Sequence, residues 1–188
     1  MMICIRSEPD AKATAATLVG TNMIFVTTAN KKIYGYDLET NEWILELPEM
    51  TEASHGLHSV CAVGTKLYVF NGSSDTIQVL DLESHQLMWQ TVIVPQLSTL
   101  DLSNPILVQQ SEDKMLVIGE DKANNRGSVQ LLDLACMQSR EVATCNPVSL
   151  QSLKSAAAQV SGTSDMVALV KTSDDKHDVV RFSANGDK

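Results

Sequence analysis

One pattern is written three times along this chain and a fourth time in part. An apolar run is followed by a polar loop, a second apolar run ending in Asp-Leu, and a polar turn. The instances are MIFVTTANKKIYGYDLETNEW, LYVFNGSSDTIQVLDLESHQLMW and MLVIGEDKANNRGSVQLLDLACMQSREV; the fourth, MVALVKTSDDKHDVVRFSANGDK, carries no finishing segment. Self-similarity of this kind specifies a repeat architecture in which each unit buries its apolar faces against its neighbours. The first two instances align on Gly20 and Gly64 and on Asp37 and Asp81, each pair 44 positions apart (64 − 20 and 81 − 37). Asp133 follows Asp81 by 52, the extra length falling between Asp121 and Ser128 and between Pro95 and Pro105. Four units in 188 residues average 47 (188/4). That suits propeller blades of ~40–50 residues and exceeds the ~34 of a helical hairpin repeat.

Local chemistry also selects strands. MIFV, LYVF and MLVI are short, β-branched or aromatic, and bounded by Gly, Asn, Asp and Ser, with no helical i, i+3, i+4 stripe. The second unit reads as four strands, Ser59–Val63, Lys66–Asn71, Thr76–Leu82 and Leu87–Val94, with a tight turn at Gly64-Thr65. The second strand of each unit is apolar on both faces, so both faces must be covered. The third strand is more mixed. Trp43 and Trp89 open the fourth, where a large ring can fill the gap between neighbouring blades. The expected fold is all-β, a propeller of four-stranded antiparallel blades near 13–50, 57–97, 104–146 and 155–188. The fourth blade lacks its outer strand, and an open edge invites pairing. The run Met2–Arg6 is a candidate closing strand. Alternatively, a homodimer or blades from a longer parent chain complete an unfinished ring.

These residues resemble the Kelch repeat, above all HSVCAVGTKLYVFNGSSDTIQVLDLESHQLMW, with LVGTNMIFVTTANKKIYGYDLETNEW close over its second half. The family's glycine pair survives only as Asn71-Gly72, as Ile118-Gly119 and as Thr27-Thr28, and the third unit has no tryptophan near Arg140. No Trp-Asp pair occurs, which argues against tryptophan–aspartate repeats. The resemblance implies a non-catalytic scaffold or adaptor for protein–protein recognition, as in ubiquitin-ligase or cytoskeletal assemblies. Its runner-up is an enzyme of a related propeller class, sugar-processing or metal-dependent.

Composition narrows the partners. The formal net charge is −9, with no basic cluster, so nucleic-acid phosphates and anionic lipid are repelled. No apolar run reaches the ~18 residues of a membrane span, and MMICIRSEPD lacks the basic start and apolar core of a secretory signal. Cys4, Cys61, Cys136 and Cys145 fit no zinc or redox spacing. Reduced thiols and a cytoplasmic setting follow, with Cys61 a small core residue.

Catalytic constellations are thin. His55-x-x-His58 with Asp75 is a conceivable metal set, but two histidines on a loop lack the fixed geometry of helical ligand pairs. His85 and His177 read as solvated. No nucleophile elbow, dinucleotide loop or phosphate loop is present, and the acidic stretch 173–178 lacks the order of a calcium loop. Asp37, Asp81 and Asp133 recur at one structural position and therefore cannot converge on one site; each is expected to bond the backbone of the turn after it. No catalytic residue, metal or cofactor is assigned.

What remains is loop surface. The loops Thr27–Lys32, Asn71–Thr76, Gly119–Ser128 and Lys171–His177 are expected on one face, with Thr51–His58, Asp101–Asn104 and Gln151–Ser155. The candidate partner-binding residues for a protein or peptide ligand are His55, His58, Asn71, Ser73, Asp75, Asp121, Asn124, Asn125 and Arg126.

Overall fold

The computed structural model describes residues 12–30, 32–48, 50, 59–70, 75–97, 102–121, 123–145, 157–159, 165–171 and 177–183. Its regular structure is β throughout apart from one short turn of 3-10 helix, Pro95–Leu97. The first sheet takes its strands in chain order: β1 (Ala13–Val19), β2 (Met23–Thr28), β3 (Ile33–Asp37) and β4 (Glu42–Glu46). The second repeats that order with β5 (Ser59–Val63), β6 (Lys66–Phe70), β7 (Thr76–Asp81) and β8 (Gln90–Ile93). The third holds β9 (Leu102–Gln109), β10 (Lys114–Asp121), β11 (Arg126–Asp133) and β12 (Gln138–Cys145). A three-stranded sheet follows, β13 (Ala157–Gln159), β14 (Asp165–Lys171) and β15 (His177–Ser183). Neighbouring strands are antiparallel wherever register is defined. The three four-stranded sheets are arranged as propeller blades, and the fourth sheet has three strands among the described residues.

The chain divides into two compact units, one of Met1–Asn71 with Thr76–Val92 and the other of Gly72–Asp75 with Ile93–Lys188. In the first, the faces of two sheets meet. Phe25, Ile33 and Leu47 of the first sheet pack with Val60, Ala62, Leu67, Val69, Leu80 and Trp89 of the second. Leu67, Ile77 and Leu80 are fully buried, and Leu67 and Val69 alternate with buried Tyr68 and Phe70, so β6 is covered on both faces. In the second unit β10 does the same: Met115, Leu116, Val117 and Ile118 are all 4% exposed or less. Continuous apolarity in these strands thus reflects two covered faces.

Strand β5 is an edge, and part of its outer side is paired across sheets: the Ala62 N–H donates to Thr17 Oγ1 on β1 at 3.0 Å. This is one way to blunt an edge strand's hydrogen-bonding capacity. On the edge strand β9, Pro105 sits at a register shift opposite Ile118–Glu120, where a missing N–H costs the ladder nothing.

The recurring Asp-Leu dipeptide has one structural job in three sheets. Asp37 Oδ1 accepts from the N–H groups of Glu39 and Thr40 (2.7 and 3.3 Å), Asp81 Oδ1 from Glu83 (3.0 Å), and Asp133 Oδ1 from Ala135 and Cys136 (2.9 and 3.3 Å). The leucine N–H that follows ties this turn to the neighbouring hairpin: Leu38 to Asn22 O, Leu82 to Thr65 O and Leu134 to Asp113 O, at 2.8–2.9 Å. The bonds from Ala135 and Cys136 hold the Asp133 carboxyl below its ordinary pKa.

Gly64, with φ of +58°, allows the two-residue turn between β5 and β6, a conformation that L side chains resist. Strand limits differ from the sequence reading in several places. β8 starts at Gln90, leaving 87–89 outside it; residues 102–104 belong to β9, not to a loop; and β10 runs to Asp121, so the long polar loop shrinks to 122–125. Alternating side chains with cross-strand partners extend the β10–β11 hairpin into what composition marks as loop. His177 likewise opens β15 opposite Lys171, instead of lying in an acidic loop. The candidate closing strand Met2–Arg6 lies outside the described residues.

Candidate interaction site

The hairpin joining β10 to β11 carries the most organised polar cluster of the described residues. Asp121 and Arg126 face each other as its last cross-strand pair, and Asn125 takes φ of +48°, a left-handed conformation that asparagine tolerates better than most residues. The Asp121 side chain is fully buried. Its Oδ2 accepts from Asn124 Nδ2 at 2.7 Å and Arg126 Nε at 3.2 Å, and its Oδ1 from the Asn124 N–H at 3.2 Å.

The cluster continues inward. Arg126 Nη2 donates to Glu141 Oε2 at 2.9 Å, the Ser128 hydroxyl donates to that same oxygen at 3.0 Å, and Gln130 Nε2 donates to Ser128 Oγ at 2.9 Å. Ser128 and Gln130 are buried, so the polar residues of the third strand form an anchor, not a solvent face. Burial alone would raise the Asp121 pKa. The bonds from Asn124 and Arg126, with the arginine's charge, outweigh it and hold the carboxyl below its ordinary value.

Asp121 is therefore interior and cannot itself touch a ligand, whereas Asn124 and Asn125 are exposed at the tip and Arg126 is half-buried. Asn124 is held by its bonds to Asp121, leaving Asn125 as the exposed polar residue outside the cluster's bonds. Of the other candidates, Asp75 is half-buried and its carbonyl accepts from the Val94 N–H at 2.6 Å. His55, His58, Asn71 and Ser73 lie outside the described residues, so no metal geometry is described for His55, His58 and Asp75. Among the described residues no three His, Cys, Asp or Glu side chains group closely enough to hold a metal ion.

Sequence reasoning missed Glu141. Its signal is the repeat itself: Lys32 precedes β3 as Arg126 opens β11, and Lys32 Nζ pairs with Glu46 Oε1 on β4 at 2.6 Å, as Arg126 pairs with Glu141 on β12. A basic residue at the start of the third strand meeting a glutamate of the fourth recurs in two sheets, fourteen and fifteen positions apart. Such half-exposed pairs contribute ~0–1 kcal/mol each, so they set geometry more than stability.

Among the described residues no helix is long and apolar enough to cross a membrane. Cys61 is buried in β5 and Cys136 is exposed in the β11–β12 turn, both as free thiols. No protein-family model matches the chain, and no curated protein matches it by sequence. Its fold is similar to the solved structure of U3-55K, with a TM-score of 0.55, 14% sequence identity, and coverage of 85% of this chain and 47% of that one. The chain thus spans about half the length of the structure it matches. This likeness corrects the family expected from the sequence: U3-55K is a WD40-repeat propeller protein, not a Kelch one. The strand, turn and Asp rhythm that suggested Kelch repeats follows from four-stranded blade geometry, which different propeller families share. The missing Trp-Asp pair therefore does not discriminate between them.

Proposed function

We propose that the chain is a non-catalytic scaffold that recognises a protein or peptide through the tip of the β10–β11 hairpin, with Asn125 as the central contact and Arg126 beside it. The supporting observation is the bonded path from Asn124 through Asp121, Arg126, Glu141 and Ser128 to buried Gln130. It fixes a short polar tip on a packed sheet, and little ordering entropy is then lost on binding. Propeller blades as a scaffold are consistent with this role. The free thiols Cys61 and Cys136 fit a reducing, cytoplasmic setting.

Affinity capture tests the reading. Wild-type chain, an Asn125→Lys variant and an Ala135→Lys control are used as baits; Ala135 is exposed in the turn at the other end of β11. A partner kept by wild type and by Ala135→Lys should be lost by Asn125→Lys with circular dichroism unchanged. Equal recovery on all three baits refutes the assignment.

A further inference from the structure

The connection between β7 and β8 breaks the rhythm of the repeat. It runs over eight residues, 82–89, where the equivalent connections β3–β4 and β11–β12 take four each, 38–41 and 134–137. The longer connection is nevertheless fastened along its length. At its start Leu82 packs against the core of the first unit, and its N–H donates to Thr65 O at 2.9 Å. In its middle the Ser84 hydroxyl donates to Gln86 O at 2.9 Å and accepts from the Gln86 N–H at 3.3 Å. At its end Leu87 packs against the same core and Trp89 lies within it.

Met88 stands between those two anchored residues and is turned outward. It is 64% exposed, the most exposed of the large hydrophobic side chains among the described residues. With Leu87 and Trp89 both committed to the core, no inward place is left for the side chain between them. The other described methionines are less open: Met50 and Met115 are 6% and 0% exposed, and Met23 and Met137 are half-buried. Of these five thioethers, that of Met88 is the one solvent reaches most freely.

We propose that Met88 is a site of reversible oxidation by hydrogen peroxide, and that the modification changes the protein's surface while leaving its fold intact. The thioether sulfur attacks one peroxide oxygen, the O–O bond breaks and an S–O bond forms. The sulfur loses two electrons, and the second oxygen leaves as water. A dithiol reductase reverses the step: its thiols become a disulfide, and the sulfoxide oxygen departs as water. Exposure admits both the oxidant and the reductase. The sulfoxide is polar, and at Met50 or Met115 it would sit among apolar side chains at high cost. At Met88 it stays in water, so the core loses nothing, while an apolar contact point on the surface becomes a hydrogen-bond acceptor.

Graded peroxide treatment of the full chain, with thiols first blocked by iodoacetamide, tests this by peptide mass mapping. The Met88 peptide should gain one oxygen several-fold faster than the peptides holding Met23, Met50, Met115 and Met137. The thermal midpoint at that stage should equal that of untreated protein, and methionine sulfoxide reductases should remove the oxygen from the folded chain. Met88→Leu should lack this first step and keep the slower ones. Met50 or Met115 oxidising as fast as Met88 overturns the inference. A lowered midpoint when Met88 alone is oxidised overturns it too, as does a sulfoxide that the reductases leave in place.

Discussion

The indole N–H of Trp89 donates to the carbonyl of Pro48 at 2.7 Å, across the boundary between the first two sheets. The ring lies in their shared core, beside Leu47 and Met50, which end the first sheet's repeat. One side chain thus supplies both apolar filling and a specified polar contact at the joint between blades.

Trp89→Phe should therefore cost about 1 kcal/mol, the net worth of one such hydrogen bond, with part of the ring volume retained. Trp89→Ala should cost about 3–5 kcal/mol by opening a cavity. Denaturant melts of both variants check this; a Trp89→Phe variant as stable as wild type would mean that the Pro48 bond contributes nothing.

Thr17 makes the inner counterpart of that joint. Thr17→Val keeps the shape and strands the Ala62 N–H, which should lower stability by roughly 1–3 kcal/mol, while Thr17→Ser should remain near wild type. A valine variant within about 0.5 kcal/mol of wild type would show the edge donor to be solvated instead.

The third sheet contains a strained turn that the first sheet solves better. Met137 has φ of +53°, and Asn41 holds the same place after Asp37 with φ of +58°. The left-handed conformation costs roughly 1–2 kcal/mol for an ordinary L residue, less for asparagine. Met137→Asn should raise the denaturation midpoint and Asn41→Met should lower it. Failure of the two to move in opposite directions would locate the strain elsewhere.

Strand content, the turn glycines and the role of the Asp-Leu dipeptide were legible because each depends on a few neighbouring residues: Gly64 on one turn, Asp37 on its own next two N–H groups. Family was not legible, because the same local rules operate in any four-stranded blade. The candidate site was half legible. Polar residues at 121–126 were visible, but whether a carboxylate points out or in depends on partners such as Glu141, whose position only the strand register fixes. Asp121 thus looked like a ligand contact and proves to be an anchor.

Tyr68 offers a test of burial in the second sheet. Burial raises its phenol pKa, and the nearby Cys61 and Asp81 push the same way. The folded value exceeds the unfolded one, so this contribution is whole below pH ~10 and fades as pH rises toward the folded pKa. In an ultraviolet titration of the folded protein Tyr68 should ionise above the ordinary phenol value, and Tyr68→Phe should remove that late step. A titration curve whose alkaline end is the same with and without Tyr68 would show the ring to be open to water.

Asp121 reverses that sign. Its folded pKa is depressed below the ordinary 3.8, so its contribution is complete above that value and is lost as pH falls through the folded pKa. Asp121→Asn should remove this acid-side dependence and cost roughly 1.5–3 kcal/mol at neutral pH, the range for hydrogen bonds to a charged group. Arg126 keeps Glu141 as a second partner and is 35% exposed, which holds the loss below that of a stranded buried charge. Glu141→Gln, on the half-exposed side of the same arginine, should cost less than 1 kcal/mol. Stability measured from pH 7 to pH 3 decides the matter. If Asp121→Asn and wild type fall in parallel, or Glu141→Gln proves the more damaging, the buried carboxylate is not what fixes the hairpin, and the tip that presents Asn125 must owe its shape to the strands alone.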